Sequence, residues 1–343
     1  MPSPRQPAMT DAPPRVLVVG GAGYVGSHCC KALAGAGYLP VSFDSLATGH
    51  RDLVRWGPLV EGDIREAAKL REAFDTWRPV AVMHFAALAL VAESVAKPAL
   101  YHEVNVEGSR NLLEAMRLAS VDALVFSSTC AVYGEVGDGP IAEAAPFGPV
   151  SPYGATKLEA ERLMDDYGRS GGPRSVRLRY FNASGADPEA KTGEHHEPET
   201  HLIPIALDAA LGRREAVSVF GDDYPTPDGT AVRDYVHVAD LAAAHLAALQ
   251  RLSGGGGSIA LNLGSGKGSS VMEVLAAAER VTGRSVPRRP APRRPGDPPR
   301  LVADPALARR ELGWRVRRSD LDTVVADAWR WHLRRFGDRP GQP

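Results

Sequence analysis

Two side chains in the stretch SPYGATKLEA (151–160) have the types and spacing for proton chemistry: Tyr153 and, four residues on, Lys157. One helical turn sets such a pair on the same face. An ordinary tyrosine titrates near pH 10 and is a poor base at neutral pH. A nearby ammonium and a nicotinamide cation both favour the phenolate and lower that value. The hydroxyl-rich run FSSTCAVYG ends a strand pattern and delivers Thr129 to the carboxyl edge of a sheet. Its hydroxyl can share the proton with a substrate alcohol. Thr129, Tyr153 and Lys157 together suit removal of a proton from an alcohol while a hydride leaves to a bound acceptor. Taken alone, the stretch is also an ordinary helix opening. Ser151 is a side-chain cap, Pro152 suits the first helical position, and Lys157, Glu159 and Glu161 would be surface charges.

The N-terminal part tips the balance. VVGGAGYVGSH has glycines at 20, 23 and 26, with another at 21, after an apolar strand and at the opening of a helix pattern. Glycine permits the tight turn and lets the backbone approach a pyrophosphate. The helix N-terminus adds unpaired N–H groups and a partial positive charge. Many βα turns are glycine-rich, so the triplet alone is weak. Here Asp44 closes the next strand pattern, YLPVSFDS. A carboxylate there can accept two hydrogen bonds from the adenosine ribose and would repel a 2′-phosphate, which favours NAD over NADP.

The elements that must position these groups alternate. Apolar strand patterns at RVLVV, YLPVSFDS, VAVMHFAA, DALVFSST and SVRLRYFN are separated by helix patterns, including a long one over 99–119 and the one that carries Tyr153. Such alternation predicts βαβ units. The fold class expected is α/β: a Rossmann-type doubly wound parallel sheet with a smaller C-terminal substrate-binding α/β region. The boundaries expected are a disordered tail over 1–14, an NAD-binding domain over 15–182, and a tail over 336–343. Residues 183–335 would be mainly substrate-binding, with some return to the Rossmann sheet. SGGGGS (253–258) reads as a surface turn, and the proline- and arginine-rich 286–299, on composition alone, as a basic linker.

Bulk properties exclude several classes. A formal net charge of −1 gives no field to attract nucleic acid or anionic lipid. There is no apolar run long enough to span a membrane, and the Pro-rich start lacks the apolar segment of a signal peptide. Cys29, Cys30 and Cys130 make no disulfide framework, which fits a reducing cytoplasm.

The motifs GGAGYVGSH, GDIR, HFAAL, SSTCAVYG, SPYGATK, LRYFNASGA, FGDDYPTPDGTAVRDYVHV, LNLGSG and RRPGD, taken together, resemble the extended short-chain dehydrogenase/reductase family over residues 15 to about 335. Within it the chain is most similar to the UDP-glucose 4-epimerases, bacterial exopolysaccharide type. DYPTPDGTAVRDYVHV and PETHLIP separate it from other extended members. The resemblance implies a tightly held NAD that is reduced and reoxidised in each turnover, and a 4-keto sugar that turns about its link to the diphosphate. It implies Tyr153 as the base for the C4 hydroxyl proton, with Lys157 also holding the nicotinamide ribose.

By the same resemblance, Gly20, Gly23, Tyr24, Val25 and Gly26 would cradle NAD, with Asp44 on its ribose and Asp63 and Ile64 at its adenine. Phe85, Ala86, Ala87, Asn105, Ser127 and Tyr180 would complete the cofactor side. Asn182, Arg233 and Arg294 look like diphosphate ligands, Asp297 a uridine-ribose ligand, and His201, Leu202 and Phe220 neighbours of the uridine. Arginine suits phosphate through bidentate charge-assisted bonds, so a nearly neutral chain can hold a nucleotide sugar. The linker reading of 286–299 then gives way. Leu301 would wall the sugar pocket, leaving room for UDP-N-acetylhexosamines. The helices at 99–119 and 153–168 resemble those that pair in a homodimer. Two departures remove polar cofactor contacts: Val19 stands where threonine is frequent, and Ala89 where lysine is frequent.

Rival readings remain in view. Related dehydratases need an acid–base pair after the threonine, and Cys130 and Ala131 stand there instead. An epimerase of UDP-arabinose and UDP-xylose is the nearest rival, and a catalytically dead nucleotide sensor a more distant one. GEHHEPETH gathers His195, His196 and His201 with Glu194 and Glu197. It lacks the helical His-Glu-x-x-His spacing, and hydride chemistry needs no metal, so no metal is expected. Cys130 reads as a packing thiol.

Overall fold

The computed structural model describes residues 12–134, 137, 139–294 and 296–337. The tails expected at 1–14 and 336–343 lie mostly outside these residues. The organising element is a seven-stranded sheet whose pairings are all parallel. In spatial order its strands are Ile259–Leu263, Arg174–Tyr180, Ala123–Thr129, Ala81–His84, Arg15–Val19, Leu39–Asp44 and Leu59–Glu61. The chain starts in Arg15–Val19, builds outward to one edge, then returns to build the other. That reversal falls between Arg15–Val19 and Ala81–His84, where the loops at the carboxyl ends diverge and open a crevice.

Two apolar layers explain why these strands read as near-continuous hydrophobic runs. On one face, Val16, Val18, Met83, Val125 and Leu178 pack against the helices Tyr24–Gly35 and Val238–Ser253. On the other, Leu17, Val41, Val82, Leu124 and Phe126 meet the helices Ala67–Trp77, Gly108–Leu118 and Pro152–Arg169. Strand Ile259–Leu263, far along the sequence, joins this sheet beside Arg174–Tyr180.

Several sequence expectations are refined. The strand expected at VAVMHFAA ends at His84, because the Phe85 and Ala86 N–H groups both turn to the Val19 carbonyl, at 2.7 and 3.0 Å. The helix expected over 99–119 runs as Pro98–His102, a wider π turn at Glu103–Glu107, and Gly108–Leu118. Residues 286–299 are not a linker throughout: Arg288–Ala291 forms a strand beside Val217–Phe220. Beyond the main sheet, Val232–Arg233 sits between Ser269–Ser270 and Arg300–Leu301. Among the described residues, no helix is long and apolar enough to cross a membrane.

Candidate active site

The crevice is a cleft of about 530 Å³ over the carboxyl ends of the strands, within the range of small-ligand sites. Its walls bring together residues far apart in sequence: the glycine turn, Asp44, Asp63 and Ile64, Phe85 to Ala87, Ser127, Thr129, Tyr153, Lys157, Tyr180 and Asn182.

Tyr153 and Lys157 occupy the first turns of Pro152–Arg169. The opening is local chemistry: the Ser151 hydroxyl accepts from the Gly154 N–H at 3.1 Å, and Pro152 needs no donor there. Lys157 is 3% exposed. Its ammonium donates to the Ser127 carbonyl at 2.8 Å and lies 4.6 Å over the Phe126 ring. Burial lowers its pKa to about 7, with Glu161 opposing. For Tyr153 the protein's own groups do the reverse of the sequence expectation. Burial raises its pKa to about 12, although the Thr129 hydroxyl pulls it down and the Cys130 thiol adds to the rise. Desolvation outweighs the Thr129 hydrogen bond, so a lower value calls for added positive charge, which a bound nicotinamide cation would supply.

Beneath these groups lies an ion pair that sequence spacing did not reveal. Glu161, one turn after Lys157, is buried against Arg179, with Nη2 to Oε2 at 2.5 Å. The Ser128 hydroxyl donates to Glu161 at 2.5 Å, and Arg179 donates to the Tyr133 hydroxyl at 2.8 Å. Helix, strand and following strand are thereby locked in one register.

The glycine turn has the shape of a dinucleotide cradle. Gly20 adopts φ 87°, and a Cβ there would stand 2.5 Å from the Ala86 nitrogen. A Cβ on Gly26 would stand 2.1 Å from the Gly20 carbonyl oxygen. Helix Tyr24–Gly35 then starts directly at the cleft with no side-chain cap. Asp44 is buried and anchored: its two oxygens accept from the Ala22 and Leu46 N–H groups, both at 2.9 Å. A carboxylate has about four acceptor positions, so two remain for ribose hydroxyls. Asp63 pairs with Arg65 at 2.7 Å. Val19 and Ala89 both face the cleft, so the polar groups missing there are missing from its wall. Asn105 differs from expectation: it is buried behind the wall, bonded to both backbone groups of Leu88 and to the Thr156 hydroxyl. It braces the loop whose Ala86 and Ala87 line the cleft.

On the substrate side, Asn182 and His201 line the cleft. Leu202, Phe220, Arg233, Arg294, Asp297 and Leu301 stand outside its lining. Arg233 pairs with Asp297 at 2.5 Å, and the Arg294 guanidinium stacks 4.1 Å over the Phe220 ring. Arg233 stands in register with Leu301, and Leu301 packs on the same cluster as Cys130. Leu301 packs in the cluster of Val132, Leu158 and Phe181, with Cys130 at its margin. Leu202 opens helix Leu202–Ala210 and packs on its core.

The GEHHEPETH loop contributes more than expected. Glu194, His195, His196 and His201 line the cleft, and Glu199 closes on them from behind. One ligand atom each from Glu194, His196, Glu199 and His201 lies within 4.8 Å of the others. Burial disfavours protonation of the two rings, but the carboxylates prevail and raise His196 to about 9 and His201 to about 10. Sequence reasoning also missed Phe43, Thr48, His50, Arg65 and Val104 as lining residues; Phe43 comes from the strand Leu39–Asp44, Val104 from the π turn, Arg65 from the end of GDIR, and Thr48 and His50 from the loop after Asp44.

Comparison with known proteins agrees with this geometry. Residues 16–264 match the NAD dependent epimerase/dehydratase family. A UDP-glucose 4-epimerase of Rhizobium leguminosarum bv. trifolii is 53% identical over 319 residues, covering 93% of this chain and 97% of that one. The crystal structure of UDP-glucose 4-epimerase from Brucella ovis in complex with NAD superposes with a TM-score of 0.91 at 53% identity, covering 94% and 98% of the two chains. A UDP-glucose-4-epimerase from Stenotrophomonas maltophila with bound NAD and formylated UDP-arabinopyranose gives 0.91 at 44% identity, covering 94% and 98%.

Proposed function

The chain belongs to the NAD dependent epimerase/dehydratase family, and on that premise we propose that it interconverts UDP-glucose and UDP-galactose by transient oxidation at sugar C4. The observation that carries the reading is the meeting of Thr129, Tyr153 and Lys157 with the glycine turn and Asp44 in one cleft. NAD, when bound, accepts a hydride from C4 and later returns it. Gly20, Gly23 and Gly26 are the residues that would hold its pyrophosphate, Asp44 its adenosine ribose, and Lys157 its nicotinamide ribose.

The protein's part is proton transfer and positioning. Tyr153 takes the proton of the C4 hydroxyl and gives it back after the keto sugar has turned over. Thr129 shares that proton and orients the hydroxyl. Lys157 holds positive charge next to the phenolate. Asn182, Arg233 and Arg294 bind the diphosphate, and Asp297 the uridine ribose. Asp297 pairs with Arg233, so a bound diphosphate would share that guanidinium with a carboxylate. Cys130 and Ala131 offer no acid–base pair after Thr129, which argues against dehydration.

The outer face of Pro152–Arg169 supports the reading of a homodimer. Phe147 is 46% exposed and Val150 63%, beside a depression lined by Pro149, Ala155, Leu158 and Leu163 together with the charged Glu159, Arg162 and Asp166. On the neighbouring short helix Val91 and Val95 are also exposed. An apolar surface of this kind fits a second copy. Light scattering at micromolar concentration should give twice the chain mass; a monomer would refute the pairing.

The central test is purified protein with UDP-galactose, no added NAD, and products resolved by NMR. UDP-glucose is the expected product. Bound NAD with no turnover of any UDP-sugar would favour a sensing role instead.

A further inference from the structure

We propose that Glu194, His196, Glu199 and His201 form a binding site for one divalent transition-metal ion of the zinc class. Two imidazole nitrogens and two carboxylate oxygens converge from a nine-residue loop. His201 Nδ1 lies 2.7 Å from Glu194 Oε1 and 3.1 Å from Glu199 Oε1. His196 Nδ1 lies 3.3 Å from Glu194 Oε1 and 3.6 Å from Glu199 Oε2. A tetrahedron with zinc–ligand bonds of about 2.0–2.2 Å has edges of about 3.3–3.6 Å, so a small contraction or expansion brings all four atoms to one centre.

His201 Nδ1 and Glu199 Oε1 are hydrogen-bonded to each other at 3.1 Å, but the other half of this centre is unsatisfied. Glu194 is 7% exposed, yet its Oε1 makes no hydrogen bond, and neither does His196 Nδ1. The atoms are close enough to bond but face one another at angles that do not permit it. A buried carboxylate oxygen and a buried ring nitrogen aimed at a common point are the arrangement a cation resolves. Mixed imidazole and carboxylate donors select zinc-like ions over calcium or magnesium, which take oxygen alone.

The surroundings hold the ligands from outside. The Trp331 indole donates to the Glu194 carbonyl at 2.8 Å. The Thr200 and His201 N–H groups donate to Glu199 Oε1 at 2.7 and 2.8 Å. The His196 ring meets the Tyr24 ring edge-on, 6.3 Å between centroids. A metal here would pin the loop against the glycine turn and neutralise two carboxylates on the wall of a cleft built for diphosphates. The ion has no step in the sugar chemistry, and the inference does not depend on which sugar is used.

The test uses the full chain without a histidine tag, stripped with a chelator and then titrated with Co²⁺ followed by visible absorption. One equivalent should bind with the strong bands of low-coordinate Co²⁺, and Zn²⁺ should displace it. The double variant Glu194→Gln/His196→Ala should lose on the order of a hundredfold or more in affinity, since even partners behind a metal's ligands are worth about 10–100-fold. His102→Ala, which alters a surface histidine paired with Glu159, should bind like wild type. Absence of a saturable site in the wild-type protein overturns the proposal, whatever the variants do. So does unchanged Co²⁺ affinity in the double variant. If no saturable metal site is found while the stripped chain still epimerises UDP-galactose, this site falls and the proposed function stands.

Discussion

The ammonium of Lys157 donates to the carbonyl of Ser127 at 2.8 Å, tying the helix of Tyr153 to the strand that delivers Thr129. Proton acceptor, proton relay and cation are thus fixed by one bond between two elements. The Glu161–Arg179 pair beneath them is buried on both sides and braces this geometry from within the protein.

Tyr153→Phe keeps the ring and loses only the acid–base group. It should retain fold and bound NAD while turnover falls roughly 10³-fold, within the range for loss of a general base. Epimerisation near the wild-type rate would remove Tyr153 from the chemistry.

Lys157 gives a pH-dependent prediction. Its pKa falls from 10.5 to about 7 in the folded chain, chiefly through burial. Between those values the unfolded chain holds a proton that the folded chain does not, so stability rises with pH across that window. The burial cost is present in full below about pH 7 and gone above about pH 10.5. Lys157→Met escapes it. In urea melts of NAD-free protein, the gain of the variant over wild type should therefore be largest near pH 7 and shrink towards pH 10. A gap that stays constant would mean that Lys157 is charged in the folded state throughout.

Gly26→Ala should expel the cofactor, because its Cβ would sit 2.1 Å from the Gly20 carbonyl oxygen. That contact is backbone on backbone, and relief requires the turn to open. The protein should purify with NAD content reduced at least tenfold, measured by absorbance after denaturation; full occupancy would show that the turn has slack.

Leu301 tests sugar selectivity. It packs beside Cys130 and Phe181, at the Arg233 end of the site. On the reading that this residue walls the sugar pocket, leucine, lacking the ring and phenol of tyrosine, would leave space near the 2-substituent. UDP-N-acetylglucosamine should be turned over measurably. Leu301→Tyr should slow that reaction more than the UDP-galactose reaction, since steric exclusion acts on the larger sugar. Equal slowing of both would assign Leu301 a packing role only.

What the sequence determined by itself is what short-range physics enforces. The glycine turn, the Ser151–Pro152 helix opening and the Tyr153–Lys157 spacing are each set within one βα unit or one helical turn, so residue type and separation suffice. Alternation of strands and helices likewise fixes a parallel sheet, because crossovers permit little else. The tertiary structure decided what depends on contacts between distant segments. Burial governs Tyr153 and outweighs its Thr129 hydrogen bond. Asn105 looks like a cofactor ligand by motif but is spent on the Leu88 backbone. Arg233 finds Asp297 across 64 residues. Glu199 completes a four-ligand cluster that no helical spacing announces, because the GEHHEPETH loop folds back on itself against Tyr24 and Trp331. Desolvation and the closure of irregular loops are properties of the packed chain, and no local pattern encodes them.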